Sequence, residues 1–290
     1  MYLYEEEHSG ARVIGKFHPV KRNPSSYPSQ TGETEYNNLL FLRSLGFDTP
    51  PHCVVKPLGF IPAIGAALIV EYLDGGLLGE VINDAIHLAR RDRLYRKLSA
   101  LAHFLASMHN LTAGDWPVNF DHSYAYMGRL LNSLIVKWGM GHEHSGELYH
   151  LREAWRYRGC MWEDRAVLVH GDVTPSNFLI GRGDNIMAID LERMQWADRS
   201  FDLGRLCGEL KHFFLQGTGD HHAAEPFIGH FLWEYCCHFP DRMSAFRAIT
   251  RRTPFYMGIT LLRIARNTWI NQDYRRRLVN EAKQILRALP

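Results

Sequence analysis

The chain has 290 residues, 46% of them hydrophobic, with 33 Lys and Arg against 31 Asp and Glu, a net charge of +2. That length suits one two-lobed unit with an ample core, and the composition is that of an ordinary globular protein. A membrane span is excluded because no stretch approaches roughly 18 apolar residues. A nucleic-acid partner is not expected at a pI near 8.3 with no matching motif.

In chain order, Met1 to Glu7 is acidic and lacks the basic-then-apolar order of a signal peptide, so a cytosolic protein is expected. A strand is predicted from Tyr2 to Glu7, a turn at His8-Ser9-Gly10, and a second strand from Ala11 to Phe17 that carries Lys16. Pro19 to Gln30 reads as a Pro/Ser-rich connector. Thr34 to Leu45 reads as a helix closed by Gly46, with Leu39, Leu42 and Leu45 on one face. Leu68 to Leu73 is an apolar strand that turns polar at Asp74 and glycine-rich at Gly75-Gly76. Arg91 to Asn110 places Leu94, Leu98, Leu101, Leu105 and Met108 on one helical stripe. His109, at its end, reads as a packed, hydrogen-bonded histidine. Further helices are expected over Glu147–Met161, Leu203–Leu215, Pro226–His238, Phe255–Ile270 and Tyr274–Leu289. The five cysteines form no Cys-x-x-Cys pair, and their odd number argues against a disulfide framework. His142-Glu143-His144 and His221-His222 lack zinc-ligand spacing with a second half.

The stretch richest in chemistry is His170-Gly171-Asp172-Val173-Thr174-Pro175-Ser176-Asn177, followed by Ile189-Asp190-Leu191-Glu192. Ala166 to Val169 is a short strand; Asn177–Ile180 and Ile186–Ile189 read as a hairpin around the turn Gly181 to Asn185. A turn centred on Gly183 sets position 177 across from 189 and brings Asn177 and Asp190 to the open end. Phosphoryl transfer from a metal-bound nucleotide needs this set. One carboxylate takes a hydroxyl proton, and an amide and a second carboxylate hold magnesium on the phosphates.

With Ala197-Asp198-Arg199-Ser200-Phe201-Asp202-Leu203-Gly204, these motifs resemble the aminoglycoside phosphotransferase and choline kinase family, a branch of the protein-kinase-like fold. The resemblance runs over roughly residues 1–215. It implies an α+β, two-lobed fold: a β-rich nucleotide-binding lobe over residues 1–74 and a helical catalytic and acceptor-binding lobe over 75–290. ATP or GTP would be the donor and Mg2+ the cofactor. It implies Asp172 as base or hydroxyl-orienting residue, Asn177 and Asp190 as metal ligands, and Lys16 on the α/β-phosphates, held by Glu35, with Glu33 as rival. Glu71 and Tyr72 would flank the base through main-chain groups. His170 and Asp202 would support the catalytic loop, and a buried Asp at a helix start also caps free N–H groups. Glu192 would assist the metal or acceptor if the strand continues past Asp190.

The family's glycine-rich phosphate loop normally precedes the Lys strand, yet only fifteen residues precede Lys16. Either that first strand and its loop are absent, by reduction or by a start placed too late, or Lys21 serves instead; absence is preferred. Residues 201–290 carry 13 Lys and Arg against 8 Asp and Glu. A basic C-terminal third argues for a neutral or anionic acceptor, such as a sugar, sugar phosphate or nucleoside, over a polycationic aminoglycoside. The expected activity is small-molecule O-phosphorylation. The alternatives are a kinase of a protein, glycated amine or lipopolysaccharide sugar, and a non-catalytic nucleotide-binding or regulatory module.

Overall fold

The computed structural model describes residues 1–17, 32–62 and 67–288, in two compact units. One comprises Met1–Val81 with His170–Gln195, the other Ile82–Val169 with Trp196–Pro290. The chain thus returns to its first unit for the hairpin, a grouping that a single division after residue 74 does not contain. The connector from Pro19 to Gln30, and Lys21 with it, lies outside the described residues.

The first unit holds two four-stranded sheets. The strands of one are β1 (Tyr2–Glu5), β2 (Arg12–Phe17), β4 (Pro57–Ile61) and β5 (Ala67–Glu71), in the order β1-β2-β5-β4. All its pairings are antiparallel. The turn between β1 and β2 is closed by Glu6, whose carboxylate accepts from the N–H groups of His8 and Ser9. Near the end of β2, Gly15 and Lys16 are buried. Helix α1 (Gly32–Ser44) turns Glu35, Leu39 and Leu42 inward at helical spacing. The other sheet, β3-β9-β8-β6, joins β3 (His52–Val54), β6 (Gly76–Leu77), β8 (Phe178–Ile180) and β9 (Ile186–Ala188). β8 and β9 form the expected hairpin, with Gly183 left-handed at φ +58° in its turn. Ile189 N–H donates to the Asn177 carbonyl at 3.0 Å, the pairing the turn length implied.

The second unit is mainly helical. It comprises α3 (Arg91–Leu111), α4 (Asp121–Trp138), α5 (His142–Arg156), α6 (Ser200–Thr218), α7 (Glu225–Cys236), α8 (Arg242–Ala265), α9 (Gln272–Arg287), most of α2 (Leu78–His87), and a short ribbon of β7 (Val167–Val169) with β10 (Gln195–Ala197). The α3 stripe is buried throughout, as its period requires. Phe120, Trp155, Phe255 and Tyr256 centre the core. Gly204 and Gly208 let α6 approach α8 closely: a Cβ at Gly204 would lie 2.3 Å from that of Tyr256. Helices α2 and α4 and strands β3, β4, β6 and β10 escaped the sequence reading, and α8 starts twelve residues before Pro254. That proline reads as a helix start, but here it lies inside the helix. The five cysteines are free, and no helix among the described residues is long and apolar enough to cross a membrane.

Burial, with Arg263 adding a like charge, drives the His212 imidazole down to about 4. The folded value lies below the unfolded one near 6.5, so only the unfolded chain gains a proton as pH falls below 6.5. His212 therefore withdraws stability between pH 6.5 and 4, and costs nothing above that window. The expected loss is on the order of 2–3 kcal/mol. Urea midpoints of wild type and His212→Gln across pH 4.5–7.5 check it: the wild-type curve should fall more steeply toward acid, and parallel curves would contradict the assignment.

Candidate active site

His170 opens the loop as a fully buried ring tilted against Phe178, with centroids 5.4 Å apart. Its Nε2 lies 3.1 Å from the Ile189 carbonyl, which only accepts, so Nε2 carries the proton. Nδ1 then accepts from Asp172 N–H at 3.4 Å. One side chain thereby ties the loop to the strand end that leads into Asp190. Gly171 follows at φ +83°, with a direction for Cβ that points into the carbonyl oxygen of Arg193, 2.0 Å away. Asp172 is buried, and its main-chain carbonyl accepts from Asn177 Nδ2 at 2.9 Å. That bond closes the loop across five residues and fixes the amide with its nitrogen inward.

Asp190 has φ +66° and ψ +54°, a conformation that costs a non-glycine residue energy and that Asp tolerates better than most. The strand therefore does not continue: residues Leu191–Arg193 form a 3-10 turn, and the expected alternation from Asp190 to Glu192 gives way to this bend. Asn38, one turn along α1 from Glu35, donates to the Leu191 carbonyl at 2.9 Å and anchors the bend. The bend still brings Glu192 close. Carboxylate oxygens of Glu35, Asp190 and Glu192 lie within 4.8 Å of one another.

Lys16 joins these acids. Its Nζ donates to Glu35 Oε1 at 2.5 Å and to Asp190 Oδ1 at 2.9 Å. Burial opposes the ammonium, but the two carboxylates outweigh it and its pKa is raised. Glu35, fully buried, is the helix acid that meets Lys16. The sequence missed Asn38 and Arg193. Asn38 had a signal, since it shares the helical face of Glu35 and Leu42. Arg193 had none, because its Nη1 reaches Asp172 Oδ2, at 3.7 Å, only through the bend.

At the exit of β5, Glu71 donates its N–H to the Lys56 carbonyl and accepts the Lys56 N–H on its side chain. Arg12 stacks 4.2 Å over the Tyr72 ring. In the helical unit Asp202 accepts from His109 Nε2 at 3.2 Å, while Tyr235 hydroxyl meets His109 Nδ1 at 2.9 Å. Burial lowers the His109 pKa despite Asp202. Asp198 caps the first turn of α6, accepting from Ser200 N–H at 2.8 Å. Asp198 is itself held by Arg252 at 3.0 Å.

A lysine paired with a helix acid, and an acid–amide loop followed by a hairpin and a second acid, on an α+β chain with a sheet-rich N-terminal part and a helical C-terminal part, define a protein-kinase-like phosphotransferase. The model of the phosphotransferase enzyme family matches residues 2–235, and the chain belongs to that family. It matches no curated protein. Among solved structures it is similar to an ethanolamine kinase from Plasmodium vivax, with TM-score 0.60, 14% identity, and 99% of this chain and 77% of that one covered. A choline kinase from Streptococcus pneumoniae gives 0.56 and 15%, over 97% and 87%. Aminoglycoside 2'-phosphotransferase-IIIa in its GDP complex gives 0.58 and 14%, over 98% and 91%. At these identities the likeness concerns the fold.

Proposed function

We propose that this protein moves the γ-phosphoryl group of ATP or GTP to a hydroxyl of a small neutral or anionic molecule. The observation that carries this reading is Lys16, an ammonium held between Glu35 and Asp190 at 2.5 and 2.9 Å. A buried cation fixed by a helix acid is placed to bind phosphate oxygens without first being ordered. The relative solved with GDP supports a nucleotide as donor.

The residue roles follow from chemistry. Lys16, kept charged by Glu35, gives its second carboxylate contact over to the α/β-phosphates. Glu71 and Tyr72 flank the base through main-chain groups. The oxygens of Asp190 and Asn177, with Glu192 nearby, are the hard donors a magnesium ion takes, and when bound that ion neutralises charge on the β- and γ-phosphates. Asp172 orients the acceptor hydroxyl in line with the γ-phosphorus. The bond from that phosphorus to the nucleoside diphosphate breaks, the bond to the acceptor oxygen forms, and the hydroxyl proton passes late to Asp172. In so loose a transition state the protein contributes mostly position and charge. His170 holds the loop to the hairpin, and Asp202 serves as a buried structural acid. The functional division we propose is nucleotide binding over residues 1–74 and catalysis with acceptor binding over 75–290, in a cytosolic protein.

The test combines a thermal shift with a product assay. ATP or GTP with Mg2+ should raise the melting temperature, more than either does alone. Nucleoside diphosphate should form slowly without acceptor and faster with the right member of a panel of sugars, nucleosides and antibiotics. A protein that neither binds nor turns over either nucleotide does not have this function.

A further inference from the structure

We propose that Arg193 selects the acceptor, by binding an anionic group, carboxylate or phosphate, that the acceptor carries beside its reacting hydroxyl. This rests on the reading of Asp172 as the acid that orients that hydroxyl.

Three observations converge on Arg193. Its guanidinium lies 3.7 Å from Asp172 Oδ2 and 3.4 Å from Glu192 Oε1, between two of the proposed site's acids. Its side chain is 50% exposed where that of Asp172 is 13%, so the guanidinium is open to solvent beside a largely buried acid. Its main chain cannot drift. The Arg193 carbonyl packs on Gly171, the Met194 N–H donates to the Leu191 carbonyl, and Asn38 holds that same carbonyl. The base of the side chain is therefore locked to the loop that carries Asp172, while its tip keeps a wet edge.

At 3.7 Å the contact with Asp172 is an ion pair beyond hydrogen-bond length, not a closed bidentate fork. A guanidinium has five donors in a plane that matches carboxylate and phosphate. An anion on that fork and a hydroxyl on Asp172 would then sit roughly 4–7 Å apart, allowing hydrogen bonds of ordinary length at each. Hydroxy acids and sugar or polyol phosphates have that spacing. Without Arg193, Asp172 and Glu192 would present two negative charges and favour cations. With it, one of those charges is offset and the pull on an ammonium group next to the reacting oxygen weakens.

The experiment uses the full chain with MgATP and acceptors in matched pairs: glycerol against glycerol 3-phosphate, ribose against ribose 5-phosphate, and neomycin as a polycation. ADP release is followed, and binding to the MgADP-loaded protein is measured by calorimetry with the same compounds. The phosphorylated member of each pair should be preferred by about tenfold or more, as a charge-assisted bond implies. Arg193→Gln should erase the preference, mainly through KM or Kd, and Arg193→Lys should keep part of it. Melting curves of the unliganded variants check folding, and Arg193→Lys carries the test if the Gln variant unfolds. Equal use or equal binding within the pairs, a preference for neomycin, or an unchanged preference in Arg193→Gln overturns the proposal. The two readings fail separately. A protein inert toward MgATP fails as a phosphotransferase, whereas one that phosphorylates only neutral or cationic acceptors fails on Arg193 alone.

Discussion

Asp172→Asn should lower turnover by about a thousandfold or more and leave nucleotide binding close to wild type, as expected where a positioned acid is lost. The substitution is nearly isosteric, and the loop's closing bond survives it, because Asn177 Nδ2 donates to the main-chain carbonyl of residue 172 and not to its side chain. His170 still accepts from the same N–H. What disappears is the anion that orients the acceptor hydroxyl and takes its proton. Because Lys16, Glu35 and Asp190 are untouched, the magnesium-dependent thermal shift with ATP should persist while product formation falls. Steady-state rates within tenfold of wild type would remove Asp172 from the role proposed for it.

Gly171→Ala should damage activity less, and unlike the first substitution it should also cost stability. Residue 171 has φ +83°, where an L side chain costs about 1–2 kcal/mol. The added Cβ would meet the Arg193 carbonyl oxygen at 2.0 Å and its carbon at 2.8 Å. Those are main-chain atoms of a turn pinned by Asn38, so neither can swing aside as a side-chain end would. The loop or the turn must move, and each carries groups of the proposed site. A displacement of about 1 Å next to a reacting group costs on the order of a hundredfold. Turnover should fall by about that factor and the urea midpoint should drop together with it. A variant with wild-type turnover and wild-type midpoint would show that Arg193 does not pack on Gly171 as described.

These two substitutions divide what local sequence shows from what it hides. Asp172, Asn177 and Asp190 were legible because their spacing is tied to a hairpin, and the register of β8 and β9 follows from a turn of fixed length. The stripe of α3 was legible because a helical period fixes which side chains share a face. The α8 start was not, since Pro254 resembles a first-turn residue and the preceding residues lack a strong period. Asp202 falls in the first turn of α6, and the turn before it, which brings Asp198 to the Ser200 N–H, was not legible.

The sequence by itself determined the class of chemistry. It supplied an acid–amide loop, a second acid across a hairpin, and a lysine and a glutamate upstream in the right order. Tertiary structure decided which of these groups meet and what stands beside them. Lys16 and Asp190 are 174 positions apart, and no periodicity carries information over that distance; only the packing of β2, α1 and the bend at Asp190 brings them to 2.9 Å. The same bend, left-handed at the residue just past the predicted strand, sends Arg193 back to Asp172. Charges close in space but remote in the chain set the field at the reacting oxygen. The phosphoryl chemistry could thus be read from a motif, while the proposed preference for an anionic acceptor rests on a fold that places a guanidinium next to the motif's acid.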